Sequence, residues 1–530
     1  MNAMTILCSR WPISGPLLAG ILLAAACSGS PSSPKDDARS SAAEQAAVAP
    51  NQSGQTDGTP AVVEGLLKVE PDVGVVGDEF TVSGDGFAPG AEVTFAWVTA
   101  TGSFETVVMA ETVEFHQPTY AEARVVLGSA TADAQGGARA TFTVPEDFGG
   151  PHDIYAVVDG EDVARGGFQI NRHVTVSPTE GPVGTPIAIR VTGLGSHALE
   201  RAMAVRYGNA YTGFITGVTT SGTAVATIRA AGPPGLHTIE LSGLGIHGGG
   251  YLNNQQSPYA RLFPPDGAYR FIFRVTEDAG PPPNEVVWPD EGRTVQLERD
   301  APRTTATGTA AGSTVDARIT PPAGPILTQA RLDATGLPAD VEFDILWVTA
   351  RGNRVTASGW NLEEIPLTTA QSDGSGALSA TIEIPEGLGG WHVVLIAHEG
   401  VVRAEVPFYV MQSFVAVTPE RVRVGEEFTI QLKGIGWTEL DNTVAITYNN
   451  AYIGYACGFN SDGDITLHLV ASGQPGTHLI DIYPTVYQGS GKRPWGFQMP
   501  HLNAPSDHPS LGLGYMLPIY RLAIEVVDEE

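Results

Sequence analysis

The sequence predicts an all-β protein of antiparallel β-sandwiches, laid out as a duplicated pair. Three observations lead there. Runs such as "EFTVSG" from Glu79, "EVTFAWV" from Glu92, "IAIRVTG" from Ile187 and "FTIQLKG" from Phe428 alternate apolar and polar residues and are rich in Val, Ile, Thr and Phe. Gly, Pro, Asp and Asn punctuate them at short intervals, and no long stretch carries helical periodicity. The second half of the chain then repeats the first.

The repeat reads residue by residue. "FAWVTATG" at Phe95 returns as "ILWVTARG" at Ile345, and "TFTVPEDFGGPH" at Thr141 returns as "TIEIPEGLGGWH" at Thr381. "YGNAYTGF" at Tyr207 returns as "YNNAYIGY" at Tyr448. Pro178 and Pro419, Gly193 and Gly434, Tyr211 and Tyr452, and His237 and His478 are each 241 residues apart, so a whole segment aligns without a gap. A unit of that length is far beyond a solenoid turn and fits two domains copied together, in the order A, B, A′, B′.

The N-terminus bears on location. After Arg10, the apolar run from Pro16 to Cys27 is too short for a permanent membrane helix and closes on small residues before a cysteine. With Leu23 and Ala24 ahead of Cys27, it resembles a bacterial lipoprotein signal. The resemblance implies a signal peptide over 1–26, fatty acylation of Cys27 (palmitate among the chains), and an exported protein anchored to the cell envelope at the outer membrane or cell surface. Residues 27–63 are rich in Ser, Ala, Gly, Pro and Gln without apolar periodicity, so they read as a flexible tether.

Composition narrows the function. The chain has 530 residues, 42% of them hydrophobic, which suits several domains with their own cores. Its 3 cysteines are Cys8 and Cys27 at the signal and Cys457 alone, so no disulfide framework is expected. A formal net charge of -29 argues against nucleic acid and against docking to anionic lipid headgroups, because both need basic patches. It suits solubility at a cell surface, or divalent cation binding.

"VEPDVGVVGDEFTVSGDGFAPGAEVTF" and "VSPTEGPVGTPIAIRVTGLG" resemble the opening of bacterial immunoglobulin-like domains of the IPT/TIG type: a Pro, a Val-Gly turn, a strand, then Gly-x-Gly-Phe or a variant. "TADAQGGARATFTVPEDFGGPHDIYAV" resembles their second half. The resemblance implies four tandem Ig-like sandwiches: A at 64–171, B at 172–278, A′ at 314–412 and B′ at 413–530. The stretch 279–313, with a run of three consecutive prolines and a Thr, Ala and Gly tract, is expected to be an exposed connector, so that each half folds by itself.

One histidine per domain follows a glycine-rich turn: His152, His237, His392 and His478. In such domains a tyrosine commonly starts the strand there and bonds nearby backbone. Single histidines on four domains do not converge on one ion, so they are expected to be structural. Zinc-protease, cysteine-pair and phosphate-loop signatures are absent. Gly374 lies in an Asp-Gly hairpin rather than a nucleophile elbow, and "NSDGD" at Asn460 reads as a turn rather than a calcium loop. Cys457, aligned with Thr216, reads as a packed thiol. No catalytic residue, metal site or cofactor is expected.

If a ligand site exists, it belongs to B and B′. Read as single strands, "RYGNAYTGF" and "TYNNAYIGY" put Tyr207, Asn209 and Tyr211, and Tyr448, Asn450 and Tyr452, on one face by the two-residue period. That face either meets sugar rings or packs beneath the long segment that follows. The long segments are rich in Gly, Pro and aromatic residues and offer His247, Tyr251, Asn253, Trp495, Phe497, His501 and His508 as contacts, the last two also as a weak metal pair. The expected function is a non-catalytic, lipid-anchored envelope protein whose Ig-like domains act as spacers and interaction modules for adhesion, scaffolding or assembly. The alternative is a ligand-binding lipoprotein using the B-type loops, with a protein or glycan partner.

Overall fold

The computed structural model describes residues 65–108, 113–197, 200–244, 252, 268–289, 315–352, 360–458, 461–487 and 498–528. The signal peptide, Cys27 and the tether lie outside the described residues, as do His247, Tyr251, Asn253, Asn460, Trp495 and Phe497. The described chain is all-β, and its one helical element among these residues is the 3-10 turn Leu511–Leu513.

Eight sheets stack as four two-layer sandwiches. In A, Lys68–Glu70, Glu79–Gly84 and Ala138–Thr143 form a three-stranded antiparallel sheet. The facing sheet runs Glu161–Ile170, Gly150–Val158, Glu92–Val108 and Val113–Thr131, and Val73–Gly74 adds to Glu161–Ile170 in parallel. The chain therefore leaves the small sheet after Glu70 and joins the large one, and a cis Glu70-Pro71 bond marks the switch. Ser177-Pro178, Thr320-Pro321 and Thr418-Pro419 are cis at the same switch in the other sandwiches. This strand order is that of an immunoglobulin-like sandwich.

Alternation puts one side of every strand into a core. Phe80 and Val82 of the small sheet meet Phe95, Trp97, Ile154 and Phe168 of the large one in A, all buried. Ile187, Ile189, Val205, Ile239 and Phe273 do so in B, Leu332, Phe343, Trp347, Ile396 and Phe408 in A′, and Phe428, Ile430, Ile446, Ile482 and Leu522 in B′. Each such side chain contributes roughly 1.5–3 kcal/mol by leaving water, which supports the fold without a disulfide.

The sandwiches are not beads on a string: the described residues from Gly65 onward form one compact unit. Within each half, a glycine of the first sandwich touches the backbone of the second: Gly149 N donates to Leu194 O at 2.9 Å, and Gly389 N to Ile435 O at 3.0 Å. Between halves, the open side of B, with strands Ala210–Thr216 and Ala224–Arg229, packs on the outer face of the large sheet of B′. Leu479, Tyr483, Ile519 and Ala523 of that face join the core cluster of B. The tip of the long A hairpin also reaches B′, where Phe115 N donates to Glu439 Oε2 at 2.9 Å and Val113 and Phe115 are buried with Leu440 and Tyr515.

Two expectations change here. The stretch 279–313 is not wholly a connector: Glu285–Val287 pairs antiparallel with Ile519–Val527, and Asn284 Oδ1 accepts from Ala523 N at 3.1 Å. Val286 and Val287 supply the reason, because each packs against a neighbouring core. Just before it, Asp278 accepts from Thr477 N and Thr477 Oγ1, both at 2.6 Å, and fastens the end of B onto B′. The halves accordingly share buried surface, contrary to the independence expected from a polar linker.

Candidate functional site

The four histidines share one geometry. Each donates from Nε2 to the carbonyl four residues back: His152 to Phe148 at 2.6 Å, His237 to Pro233 at 2.8 Å, His392 to Leu388 at 2.9 Å and His478 to Gln474 at 2.8 Å. Their rings lie on an aromatic of the neighbouring strand, Trp97 and Trp347 in A and A′, Tyr207 and Tyr448 in B and B′. The pair of bonds and stacking closes the glycine turn at the head of each strand. Burial pushes His392 down to about 4, against Val348 O at 3.0 Å and Leu388 O at 2.9 Å, which face its two ring nitrogens and favour the charged form. Among the described residues, no three His, Cys, Asp or Glu side chains converge as metal ligands would.

The tyrosine and asparagine candidates separate. Gly208 and Asn209 have φ of 56° and 69°, Asn449 and Asn450 have 49° and 64°, and each pair is the two-residue turn of a hairpin. The two-residue period does not run through such a turn, so neither stretch is a single strand with one common face. Gly-Asn and Asn-Asn are the local sequence signals of these turns. Tyr207 points inward, donating to Ala231 O at 2.8 Å and accepting from Ala231 N at 3.1 Å; burial pushes its hydroxyl up to about 12. Tyr448 makes the same two bonds with Ser472.

The other members go to the contact between B and B′. Tyr211 and Tyr452 meet edge to face with ring centres 6.4 Å apart, and Tyr452 donates to Gln498 O. Asn450 is buried and donates to Arg229 O at 2.7 Å. Asn209 alone of these six is exposed.

The described end of the long B′ segment is a fastener. Phe214 N donates to Pro500 O and Leu502 N to Phe214 O, both at 2.9 Å, so the segment extends the edge strand of B. His501 stacks on Phe214 and sits 2.9 Å from Thr216 Oγ1. Asp507 accepts from Thr216 Oγ1, Val218 N, Thr219 N and Thr219 Oγ1 at 2.7–2.8 Å. His508 Nδ1 accepts from Ser510 Oγ at 2.7 Å. Asp507, His508 and Ser510 are at most 1% exposed, so these Ser, His and Asp side chains are sealed from any substrate. Burial pushes His501 down to about 3 and His508 well below its usual range. The His501 and His508 rings, 5.5 Å apart, hold two sandwiches together.

A buried charge cluster adjoins them, with no local signal in the sequence. Arg229 of B lies 2.5 Å from Asp481 of B′, and Arg521 is 3.1 Å from the other carboxylate oxygen. The guanidinium groups also donate to Leu522 O and Thr227 O and to Tyr483 Oη. Arg229 occupies an alternating strand position that reads as solvent-facing, and only the docking of B′ removes its water.

A tandem of immunoglobulin-like sandwiches, fused side by side by buried polar contacts, is the class of protein that this fold defines. No family model matches the chain, and no curated protein does. Among solved structures, the chain is similar to invasin, a bacterial integrin-binding protein, with 11% identity over 87% of this chain and 100% of that one at a TM-score of 0.18. An ICAM-5 ectodomain fragment matches with 12% identity over 87% and 100% at 0.17. Escherichia coli alpha-2-macroglobulin matches with 9% identity over 86% of this chain at 0.16, and the chain spans only 30% of its length. At these scores the overall arrangements do not superpose, and the likenesses carry no functional information.

Proposed function

We propose that the chain is a non-catalytic, lipid-anchored protein of the cell envelope that presents a rigid block of Ig-like sandwiches for interaction with a protein or glycan partner. The observation that carries this reading is the fusion of the four sandwiches: the Asp507 and His501 contacts on B and the Phe115 contact on Glu439 restrain hinge motion between halves. A block of that kind holds a contact surface at a fixed orientation, where loosely linked spacers would not. The sealed His, Ser and Asp side chains of the interface favour a structural assignment over catalysis. For the alternative, a ligand site on the B-type loops, the described part of the B′ loop is already taken up by B.

The anchor reading rests on the residues up to Cys27. Replacing Cys27 by Ala and fractionating cells tests it directly. Transfer of the protein from the membrane to the soluble fraction supports the anchor, and an unchanged membrane fraction overturns it.

A further inference from the structure

The internal duplication supplies a control for its own interfaces. A and B meet through Gly149 and Leu194 as A′ and B′ meet through Gly389 and Ile435, so the two junctions share a backbone frame. Their side chains differ. In the second junction Trp391 and Tyr409 pack with Leu440 and Tyr515, and Trp437 packs with Ala350 and Leu388, all of them buried. The corresponding residues of the first junction are Pro151, Gln169 and Ser196, and there the space is a cleft of about 780 Å³.

The cleft is polar where its twin is aromatic. Glu122, Gln169, Asn171, Ser196, His197 and Glu200 line it, with Phe148 and the Gly149–Gly150 backbone also exposed to it. Its volume is that of a small-ligand site. Glu122 is exposed and has no ion-pair partner among the described residues, and Glu200 is half-buried. Arg172 lies behind them; it donates to the Glu200 backbone oxygen at 2.9 Å and partly offsets the Glu200 carboxylate, while Glu122 has no such cation beside it among the described residues. Carboxylates and amide oxygens together accept from a donor-rich cation and repel anions, as does a chain of net charge -29.

We propose that the cleft between A and B binds a small ligand bearing primary ammonium groups. Glu122 and Glu200 accept from the ammonium groups, while Gln169, Asn171 and Ser196 satisfy the remaining donors. The twin junction binds nothing of this kind because its own rings occupy the site. This goes beyond the anchored-module reading and does not depend on Cys27.

Calorimetric titration of the purified full chain with spermidine tests it, beside three variants. Ser196→Trp installs the ring found at Trp437 and closes the cleft; Glu122→Gln and Glu200→Gln remove one charge each. Saturable binding that is lost in Ser196→Trp and weakened about tenfold in each Gln variant is the expected result. Glu122→Gln, at an exposed position, keeps the test valid if Ser196→Trp fails to fold. Absence of saturable binding overturns the proposal. So does binding that Glu122→Gln and Glu200→Gln leave unchanged, which would mark a diffuse attraction to the acidic surface.

Discussion

Arg229 reaches Asp481 of B′ in the place that Arg206 occupies beside Glu240 within B itself. Glu240 and Asp481 are equivalent by the 241-residue offset, and each also pairs across strands with an arginine, Arg270 and Arg521. In B the cluster is partly open to water, with Arg270 55% exposed; in B′ all three members are buried.

The same chemistry should therefore have opposite weights in the two copies. Asp481→Ala leaves two buried guanidinium groups uncompensated and is expected to cost about 3–5 kcal/mol. Glu240→Ala should cost no more than about 1 kcal/mol. Urea denaturation of the two variants checks this, and similar losses would contradict the burial of the B′ cluster.

The glycine contacts inside each half make a second prediction. A Cβ on Gly389 would lie 1.6 Å from Gly434 O, and one on Gly149 would lie 2.0 Å from Gly193 O, both against backbone that has no rotamer to yield. Gly389→Ala and Gly149→Ala are expected to lower stability by about 1–3 kcal/mol or more. Gly374→Ala, with nothing within 4 Å, should change it by less than about 0.5 kcal/mol. Thermal melts of the three variants compare them directly.

Acid should weaken the fold through His392. Its folded value near 4 lies below the ordinary 6.5, so between those pH values the unfolded chain binds the extra proton. Its contribution is full above 6.5 and lost as the pH falls toward 4, a change of roughly 3 kcal/mol. Asp441 has the opposite sign, because burial pushes its carboxyl up to about 7: its contribution is full below 3.8 and lost as the pH rises through 7. His392→Phe removes the acid loss and leaves Asp441 unopposed, so between pH 6.5 and 4 the variant should gain stability on acidification relative to the parent. An unaltered slope in chemical denaturation across that window would reject the assignment.

Separated halves should not behave as the whole does. A fragment from Leu66 to Asp278 exposes the surface of B that receives Leu502 and Asp507, and one from Thr314 to Glu530 exposes Tyr483, Ile519 and the Asp481 cluster. Each fragment is expected to bind a hydrophobic dye and melt below the intact chain, and mixing the two should restore the higher transition. Fragments that melt alone at the parent temperature would show the interface to be dispensable.

The sandwiches and their duplication were legible because alternation, turn residues and a gapless repeat are local signals. The histidine turns were legible too, since His152, His237, His392 and His478 recur at one place in the pattern. Tyr211, Asn450 and His501 stand out in the sequence, where a packing face and a ligand contact read alike. Their partners, Tyr452, Arg229 and Thr216, are distant in sequence, and only the docking of B on B′ brings them together. The Gly208–Asn209 turn is a local signal that the strand periodicity on either side of it masks. Arg229 had no local signal at all, because an arginine on a strand looks alike whether it meets water or another sandwich.

The docking of B on B′ uses two different surfaces, an open sandwich side on one and a sheet face on the other. Head-to-tail contacts of that type add subunits without limit unless something ends them. At two positions the copies differ in the residues that this contact uses. On the equivalent sheet face of B, Arg206 already sits against Glu240, in the place that Arg229 takes beside Asp481. On the free side of B′, the position equivalent to Arg229 is Val470, which is 57% exposed and brings no charge to a neighbour. Val470→Arg together with Arg206→Thr would therefore place on those two surfaces the side chains that B and B′ use to dock.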